Sequence, residues 1–279
     1  MNRIVSKILL ARDIHEFVVE APEIAARAKA GHFIVAMADN VGERVPLTIA
    51  DFDPGRGTIT LVVMAIGTST RKMAALQEGG HFHAVVGPLG TPSEIEKTGT
   101  VLCVAGGVGA APVYPIARAL REAGNRVVTI QGSRTKDLLF WEDKLASVSD
   151  RQILVTDDGT AGAKALVTEP LKELLASKTE GEVTRIWAVG PPPMMRACAE
   201  ASRPFGVKTY VSLNTLMVDG TGMCGGCRVE VGGKTFFTCV QGPEFDGHQV
   251  DWEGFFNRQR VYHDQEKCSL DRYVKEALS

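Results

Sequence analysis

Apolar and polar positions divide the chain into three regions with different periodicity. Over residues 1–98, short runs rich in Val, Ile and Phe stand between turns containing Gly, Pro, Asn or Asp, a pattern typical of β-strands. Strands are predicted at 4–10, 14–19, 32–37, 46–50, 58–66 and 81–86, and short helices at 22–30 and 70–77. Six such strands predict a small closed antiparallel barrel, because closure leaves no unpaired edge.

From Thr100 onward, apolar runs alternate with helical segments. Strands are predicted at 101–105, 126–131, 152–156, 184–189 and 207–211, and helices at 112–123, 138–147, 167–177 and 192–203. This alternation indicates βαβ units and a five-stranded parallel α/β domain. After Leu213 glycine and cysteine concentrate, with a hairpin predicted at 229–238 and a helix at 270–278.

These changes in pattern predict a multidomain protein of β and α/β class. The predicted units are a β-barrel at 1–98, an α/β domain at 99–211, a cysteine-containing module at 212–262 and a tail helix at 263–279.

Composition narrows the function classes. The 279 residues are 44% hydrophobic and 23% charged, as in soluble globular proteins. A net charge of −2 argues against a nucleic-acid-binding protein, which is usually basic. No apolar run reaches the roughly 18 residues of a membrane span, and no signal peptide is evident, so we expect a cytoplasmic protein. Six cysteines in such a chain favour a metal site over a disulfide framework.

The most informative motif is a cluster of cysteines in a glycine-rich segment. Cys224, Cys227 and Cys239 have the spacing C-x2-C-x11-C, and Asp219 stands five residues before the first of them. The plant-type [2Fe–2S] spacing is C-x4-C-x2-C…C, with Asp219 here in the first position. Tetrahedral zinc is the alternative, with His248 as a fourth ligand. The single C-x2-C unit and the surrounding glycines favour the iron–sulfur interpretation.

Three glycine-bearing turns are candidates for binding a dinucleotide. Their residues are Gly67, Ser69 and Thr70; Gly106, Gly107, Gly109 and Pro112; and Gly190, Pro191 and Met194. Each turn puts backbone N–H groups at a helix start, which suits phosphate, although plain helix capping explains each one alone. The last two follow strands of one predicted sheet and would converge on one ligand. No catalytic dyad is evident.

The order of these motifs resembles the ferredoxin–NADP reductase superfamily over nearly the whole chain. The matching motifs are Pro-Leu-Thr at 46–48, Gly-x-Ser-Thr at 67–70, Gly-Pro-Leu-Gly at 87–90, Gly-Gly-Val-Gly-Ala-Ala-Pro at 106–112, Gly-Pro-Pro-x-Met at 190–194 and the cysteine cluster. Segments 212–224 and 245–252 are similar to the electron-transfer subunits of dihydroorotate dehydrogenase B. Within that group, they are most similar to the small subunits of NADH-dependent reduced ferredoxin:NADP oxidoreductases.

The resemblance implies three cofactors: FAD, NAD(H) and a [2Fe–2S] cluster. The implied FAD residues are Arg44, Pro46, Leu47, Thr48, Val63, Gly67, Ser69 and Thr70. The implied NAD(H) residues are Gly106, Gly107, Gly109, Pro112, Asp157, Asp158, Gly190, Pro191 and Met194. The implied cluster ligands are Asp219, Cys224, Cys227 and Cys239. The chain has Val45 where the superfamily has arginine, so Arg44 or Arg71 is expected to neutralise the FAD phosphates.

The resemblance also implies a role and a partner. Electrons would pass between NAD(H), FAD and the cluster, and then to a larger flavin and [4Fe–4S] subunit in a heterodimer. Through that subunit the complex would couple ferredoxin and NADP(H) by electron bifurcation. Arg134 and Lys136 could hold the 2′-phosphate of NADP or lie in a solvated turn; the family expectation is NAD.

Several alternatives remain open from the sequence. The chain could be the electron-transfer subunit of dihydroorotate dehydrogenase B itself or of a hydrogenase. It could be a stand-alone NAD(P)H reductase. In a different class, it could be a zinc-containing nucleotide-binding regulatory protein.

Overall fold

The computed structural model describes residues 2–278. Its first part, residues 2–98, is here called the N-terminal β region. The elements of this region are β1 (Ile4–Ala11), β2 (Ile14–Glu20), α1 (Pro22–Ala25), β3 (Phe33–Met37), β4 (Val45–Thr48), β5 (Asp51–Asp53), β6 (Thr58–Met64), α2 (Thr68–Ala75) and β7 (Ala84–Leu89). All six predicted strands are present, and the short β5 is an addition.

The strands of the N-terminal β region pair as two antiparallel sheets, in the orders β1-β2-β6-β5 and β4-β3-β7. Both sheets contribute to one apolar core around Phe17, Ile34, Leu61 and Phe82, each fully buried. The predicted closure into one hydrogen-bonded barrel is not found among residues 2–98, because no ladder joins the two sheets. Side-chain packing joins the sheets, together with one isolated backbone bridge between Arg3 and His81.

The middle of the chain, residues 99–211, is called the α/β region. Its elements, the last of which ends one residue beyond it, are β8 (Thr100–Gly106), α3 (Ala110–Glu122), β9 (Arg126–Ser133), α4 (Glu142–Ser147), β10 (Arg151–Thr156), β11 (Ala163–Lys164), α5 (Thr168–Ser177), β12 (Val183–Val189), α6 (Pro192–Ser202) and β13 (Lys208–Ser212). The predicted helix at 138–147 begins only at Glu142. Trp141, with φ +59°, has a left-handed backbone that a helix does not continue through.

The third part, residues 212–262, is called the cysteine region, and a tail helix follows it. The elements are β14 (Arg228–Val231), β15 (Lys234–Phe237), α7 (Thr238–Gln241), β16 (Glu244–Asp246), α8 (Trp252–Gln259) and α9 (His263–Leu278). The tail helix therefore starts seven residues before the predicted Leu270. The last residue of the predicted tail, Ser279, lies outside the described residues.

A central sheet of seven strands joins the α/β and cysteine regions, in the order β11-β10-β9-β8-β12-β13-β16. Its five predicted strands are parallel, and β11 extends one edge. The three-residue strand β16 pairs antiparallel with β13 at the other edge, so the predicted five-stranded sheet is two strands wider. β9 lies on one side of β8 and β12 on the other, so the strand order reverses at β8 while the strands stay parallel. This is the topological switch point where open α/β sheets bind ligands.

In residues 2–278, no helix combines the length and the apolar character needed to cross a membrane.

Candidate functional site

The β14–β15 hairpin brings two distant cysteines together. Antiparallel pairing sets Arg228 opposite Phe237, so Cys227 before the hairpin meets Cys239 after it. Their Sγ atoms are 3.2 Å apart, and both residues are buried. Burial and the neighbouring Cys227 thiol raise the pKa of the Cys239 thiol to about 12. A metal ion would therefore have to displace a proton to bind here.

Asp219 and Cys224 form a second pair on an exposed loop. The Asp219 carboxylate accepts hydrogen bonds from the backbone N–H groups of Thr221, at 2.8 Å, and Cys224, at 3.0 Å. These N–H groups lower the pKa of Asp219. Gly220 and Gly222 have φ values of +77° and +86°, a backbone that allows the loop to curl around the carboxylate.

The four predicted ligands thus lie as two pairs. Among residues 2–278, no three His, Cys, Asp or Glu side chains converge on a point that could hold a single metal ion. Structural zinc requires four donors around one ion, whereas the irons of a binuclear cluster share four ligands between them. The backbone N–H of Gly226 also lies 3.4 Å from the Cys224 sulfur, a contact that tunes iron–sulfur clusters. The donor set therefore fits a [2Fe–2S] cluster.

His248, the alternative zinc ligand, is engaged elsewhere. Its Nε2 lies 2.9 Å from Ser202 Oγ, and its Nδ1 lies 3.8 Å from Asp246 Oδ1. This serine, histidine and aspartate arrangement is not a hydrolytic site, because Ser202 is completely buried and its hydroxyl also contacts Thr209. Neither zinc binding nor nucleophilic chemistry is assigned to His248.

The predicted flavin strand, β4, pairs with β3, and side chains of β3 pack in one cluster with the cysteines. Pro46 pairs with Val35 and Thr48 pairs with Phe33, so each pair of side chains shares one face of the sheet. Phe33 and Val35 belong to one apolar cluster with Met217, Cys227 and Cys239. The predicted FAD face of β4 is therefore continuous with the face of β3 that packs in one cluster with the buried thiols.

Two predicted FAD residues have side chains that point into the core of the N-terminal β region and away from the predicted FAD face. Leu47 and Val63 are buried in the core of the N-terminal β region. The residues flanking Val63, Val62 and Met64, instead contact the α/β region. Strand alternation accounts for both cases. The side chains of Leu47 and Val63 are therefore turned away from the predicted FAD face.

The start of α2 provides the predicted pyrophosphate loop. Thr70 Oγ1 accepts hydrogen bonds from the backbone N–H of Gly67, at 3.0 Å, and of Ile66, at 3.1 Å. Ser69 Oγ donates to Glu43 Oε2 at 3.2 Å. The adjacent Arg44 donates from Nη1 to the carbonyl of Val218 at 3.4 Å. Arg44 thus lies between this loop and the cysteine region, while Arg71 is exposed on α2 itself.

The two glycine turns of the α/β region touch each other at the switch point. A Cβ atom on Gly106 would lie 2.2 Å from Met194 Sδ, and one on Gly109 would lie 2.0 Å from the carbonyl oxygen of Val189. A Cβ atom on Gly190 would lie 3.0 Å from the Gly106 carbonyl oxygen. The structure therefore brings together the 106–112 and 190–194 turns, with Pro112 in the first turn of α3.

Asp157 and Asp158 lie farther from these turns. They follow β10, which β9 separates from β8, a spacing of about 10 Å across two strands. The Thr160 hydroxyl, at 2.7 Å, and the Thr160 backbone N–H lower the pKa of Asp158. Arg134 and Lys136 are exposed after β9.

Sequence reasoning missed the residues that join the sites. Phe33, Val35 and Met217 link the predicted flavin strand to the cysteines. Glu244 contacts Ser93 of the N-terminal β region and Trp187 of the α/β region. The alternation within β3 was the available signal for Phe33 and Val35, because it sets them on the face opposite Ile34. No pattern marked Met217 or Glu244.

Comparisons with known proteins agree with this arrangement. Residues 214–251 match the iron–sulfur cluster binding domain of dihydroorotate dehydrogenase B, and residues 103–200 match the oxidoreductase NAD-binding domain. The chain is 47% identical over 277 residues to the "Dihydroorotate dehydrogenase B (NAD(+)), electron transfer subunit homolog" of Thermotoga maritima, covering 99% of this chain and 97% of that protein. It is 32% identical over 259 residues to the electron transfer subunit of dihydroorotate dehydrogenase B from Bacillus caldolyticus, covering 88% and 96%.

Solved structures of electron-transfer proteins are also similar to this chain. A chain of NADH-dependent reduced ferredoxin-NADP oxidoreductase, from work on flavin-based electron bifurcation, superposes with a TM-score of 0.92 at 46% identity, covering 98% of each chain. Phthalate dioxygenase reductase superposes with a TM-score of 0.57 at 17% identity, covering 82% of this chain and 85% of that one. The second likeness concerns the fold alone.

Proposed function

Because the chain belongs to the family of dihydroorotate dehydrogenase B electron-transfer subunits and their homologues, we propose that it transfers electrons between NAD(H), FAD and a [2Fe–2S] cluster. One observation carries this proposal: Phe33 and Val35 belong to one apolar cluster with the buried cysteines Cys227 and Cys239, and they share a sheet face with Thr48 and Pro46. A cofactor on that face would be separated from the thiols by one layer of side chains.

Different residues would bind the flavin ring, the pyrophosphate and the nicotinamide dinucleotide. Thr48 and Pro46 would line the flavin ring, and the N–H groups at the start of α2 would hold the pyrophosphate. The turns at Gly106 and Gly190 would bind the nicotinamide dinucleotide at the switch point. When bound, FAD exchanges a hydride with NAD(H) and single electrons with the cluster. The protein's own task is to orient these groups and to exclude water.

The exposed edge of the cysteine region would be the exit for electrons. Four exposed apolar side chains surround the loop of Cys224: Leu216, Val218, Met223 and Val240, with Met223 89% exposed. Apolar patches around an exposed redox group are typical of protein docking sites. The occupant would be a larger flavin and [4Fe–4S] subunit in a heterodimer, through which ferredoxin and NADP(H) are coupled by bifurcation. Support comes from the solved NADH-dependent reduced ferredoxin-NADP oxidoreductase chain, at 46% identity.

A second candidate is the electron-transfer subunit of dihydroorotate dehydrogenase B itself. It is favoured by the match of residues 214–251 to that enzyme's cluster domain and by relatives of that name at 28–32% identity. The two candidates differ only in the partner that receives the electrons.

The visible spectrum of the purified chain is the first test. Flavin bands together with a broad iron–sulfur envelope are expected, and NADH should bleach both. A colourless protein containing zinc would contradict the proposal. Mixing the reduced chain with each candidate partner then distinguishes the roles: dihydroorotate formation from orotate supports one partner, and NADP reduction that needs both NADH and reduced ferredoxin supports the other.

Asp219 provides a direct test of the ligand set. Asp219→Cys should retain the cluster with a shifted EPR spectrum, because one oxygen ligand is exchanged for sulfur. Asp219→Ala should lose cluster on dilution with chelator. An Asp219→Cys spectrum identical to that of the wild type would show that Asp219 does not bind iron.

A further inference from the structure

One carboxylate connects the N-terminal β region to two helices of the α/β region. Asp51, the first residue of β5, contacts Arg118 of α3 from Oδ1 at 2.7 Å. Its other oxygen, Oδ2, contacts Lys144 of α4 at 2.9 Å. We call Asp51, Arg118 and Lys144 the Asp51 clasp. Each carboxylate oxygen is committed to a different helix, so the clasp constrains direction as well as distance.

Aromatic rings hold the two cations of the clasp in place. The Lys144 ammonium lies 3.9 Å from the ring centre of Trp141 and 4.3 Å from that of Tyr114. The Arg118 guanidinium lies 5.3 Å from the Tyr114 ring and 5.2 Å from that of Phe52. These distances are within the range of cation–π attraction. Tyr114 and Trp141 belong to the α/β region, so they restrain the two cations independently of Asp51, which reduces the entropy lost on pairing.

A neighbouring contact reinforces the same junction. Trp141 Nε1 donates a hydrogen bond to Glu16 Oε2 of β2 at 2.9 Å. Trp141 has a left-handed backbone, φ +59°, immediately before α4. This backbone turns the indole toward the N-terminal β region, so two acidic side chains of that region are bound to the same part of the α/β region.

The clasp is partly shielded from water. The side chains of Asp51, Arg118 and Lys144 are only 22%, 26% and 29% exposed to solvent. Burial opposes ionisation of Asp51, but hydrogen bonds and charge from Lys144 and Arg118 outweigh it, so its pKa is lowered. Fully exposed ion pairs do little to hold two elements in one orientation, because water and salt compete with them. The Asp51 clasp is partly buried and can therefore hold the N-terminal β region and the two helices in one orientation.

Helix α3 connects the clasp to the proposed nicotinamide site. It begins at Ala110, directly after the glycine turn, and Arg118 lies eight residues along it, which is about 12 Å of helix. The rest of the junction is apolar, with Ile14 and Ala50 in one cluster with Ala110 and Tyr114. Apolar contact is non-directional and permits sliding. Orientation of α3 against the N-terminal β region is thus left to the charged groups.

We propose that Asp51 is a positioning residue for hydride transfer: by clasping Arg118 and Lys144 it sets the angle at which the α3 glycine turn presents nicotinamide to the flavin face. This rests on the proposed electron transfer from NADH to FAD. Asp51 touches neither cofactor face. It acts through α3, and its effect is on the approach geometry of the two reacting groups, where small displacements are costly in rate.

The test is single-turnover reduction of bound flavin by NADH, measured by stopped-flow absorbance on the full FAD-loaded chain. Asp51→Asn keeps the size and removes the charge. We expect the limiting rate at saturating NADH to fall by about tenfold or more. The NADH dissociation constant should change less than about threefold, because the binding turns are intact. Asp51→Glu should recover part of the rate.

Glu180→Gln is the matched control. Glu180 also bridges two cations, Arg126 and Arg151, but all three residues lie within the α/β region. It should lose similar thermal stability and keep the wild-type limiting rate. Small-angle scattering of the full chain adds a readout that does not depend on turnover: a broader distance distribution is expected for Asp51→Asn and not for Glu180→Gln.

The outcomes separate the two hypotheses. A wild-type chain whose bound FAD is not reduced by NADH would overturn the proposed function. A wild-type chain that is reduced normally, with Asp51→Asn equally fast and equally compact, would overturn the clasp alone. A slow variant with unchanged NADH affinity and a wild-type Glu180→Gln rate supports it.

Discussion

The sulfur atoms of Cys227 and Cys239 lie 3.2 Å apart, although twelve positions separate the two residues along the chain. The distance is too long for a disulfide bond, which is about 2.0 Å, and both cysteines are free. The β14–β15 hairpin between them fixes this approach. The pair is therefore half of the proposed cluster site, whose other half is the exposed pair of Asp219 and Cys224.

Removing one buried thiol should separate the two halves of electron transfer. Cys227→Ala is expected to lose the cluster absorbance and EPR signal, and with them NADH-dependent reduction of the partner. Reduction of flavin-reactive dyes by NADH should persist, because no predicted FAD or NAD(H) residue is altered. Cys268→Ala is the control, since Cys268 is an exposed cysteine on α9. Full partner turnover by Cys227→Ala would refute the electron path.

Gly109 should be intolerant of any side chain. Its φ of −59° is available to all residues, but an added Cβ would lie 2.0 Å from the Val189 carbonyl oxygen. Gly109→Ala must push apart the two turns at the switch point, at a cost of about 1–3 kcal/mol of unfolding free energy. NADH affinity should fall by about tenfold, because the turns no longer converge. Gly55→Ala, in a turn of the N-terminal β region, should leave NADH titrations unchanged.

Glu43 should oppose FAD binding. Its carboxylate accepts the Ser69 hydroxyl at the start of α2, where the pyrophosphate would add two negative charges. Glu43→Gln is expected to tighten FAD binding about threefold at low salt, an effect that salt should reduce. Flavin fluorescence titration measures it. Glu23→Gln removes an exposed carboxylate on α1 and should change nothing, and a Glu43→Gln variant with weaker FAD binding would place the pyrophosphate elsewhere.

Glu244 should make stability depend on pH near neutrality. Its carboxylate accepts from Ser93 Oγ at 2.6 Å and from Trp187 Nε1 at 3.1 Å, and no cation is among these partners. Burial raises the pKa of Glu244 to about 7 from an ordinary 4.5, with the negative charge of Glu94 adding to the rise. The folded state therefore binds more protons than the unfolded state between pH 4.5 and 7.

The sign of the effect follows from that excess of protons. As the pH rises from about 4.5 to 7, the unfolded chain releases the Glu244 proton first, so the free energy of unfolding falls, by at most about 3 kcal/mol. Glu244→Gln should lack this decline. Urea unfolding of both proteins between pH 4.5 and 8 measures the difference, and parallel curves would show that Glu244 ionises normally.

Local patterns predicted most elements of the fold because each rests on near neighbours in the chain. The βαβ alternation predicted the five parallel strands, since buried strands and amphipathic helices differ in period. The helix at 138–147 was predicted too long, because Trp141 has a left-handed backbone and its indole contacts the distant Glu16, neither of which the local pattern indicates. Strand β16 is only three residues, and its pairing with β13 gives it a structure that its own sequence does not signal.

In the predicted sites, too, features that depend on chain neighbours were predicted and features that depend on remote contacts were not. The spacing of Cys224 and Cys227 and the glycine turns are local features, and the sequence alone singled them out. The inward direction of Val63 and Leu47, and the distance of Asp157 from the switch point, depend on strand register and strand order. Register sets every side chain on one face or the other, and residue type alone does not reveal it.

The sequence by itself determined the chemistry of this protein: three thiols, a carboxylate in their spacing, and glycine turns after buried strands. The tertiary structure decided the geometry on which the proposed electron pathway depends. It divided the four predicted ligands into two pairs, paired Val35 with Pro46 and packed it in one cluster with the thiols, and joined two regions through Asp51. The physical reason is that residue types fix what a group can bind, whereas distances between remote groups arise only when apolar faces pack and strands align.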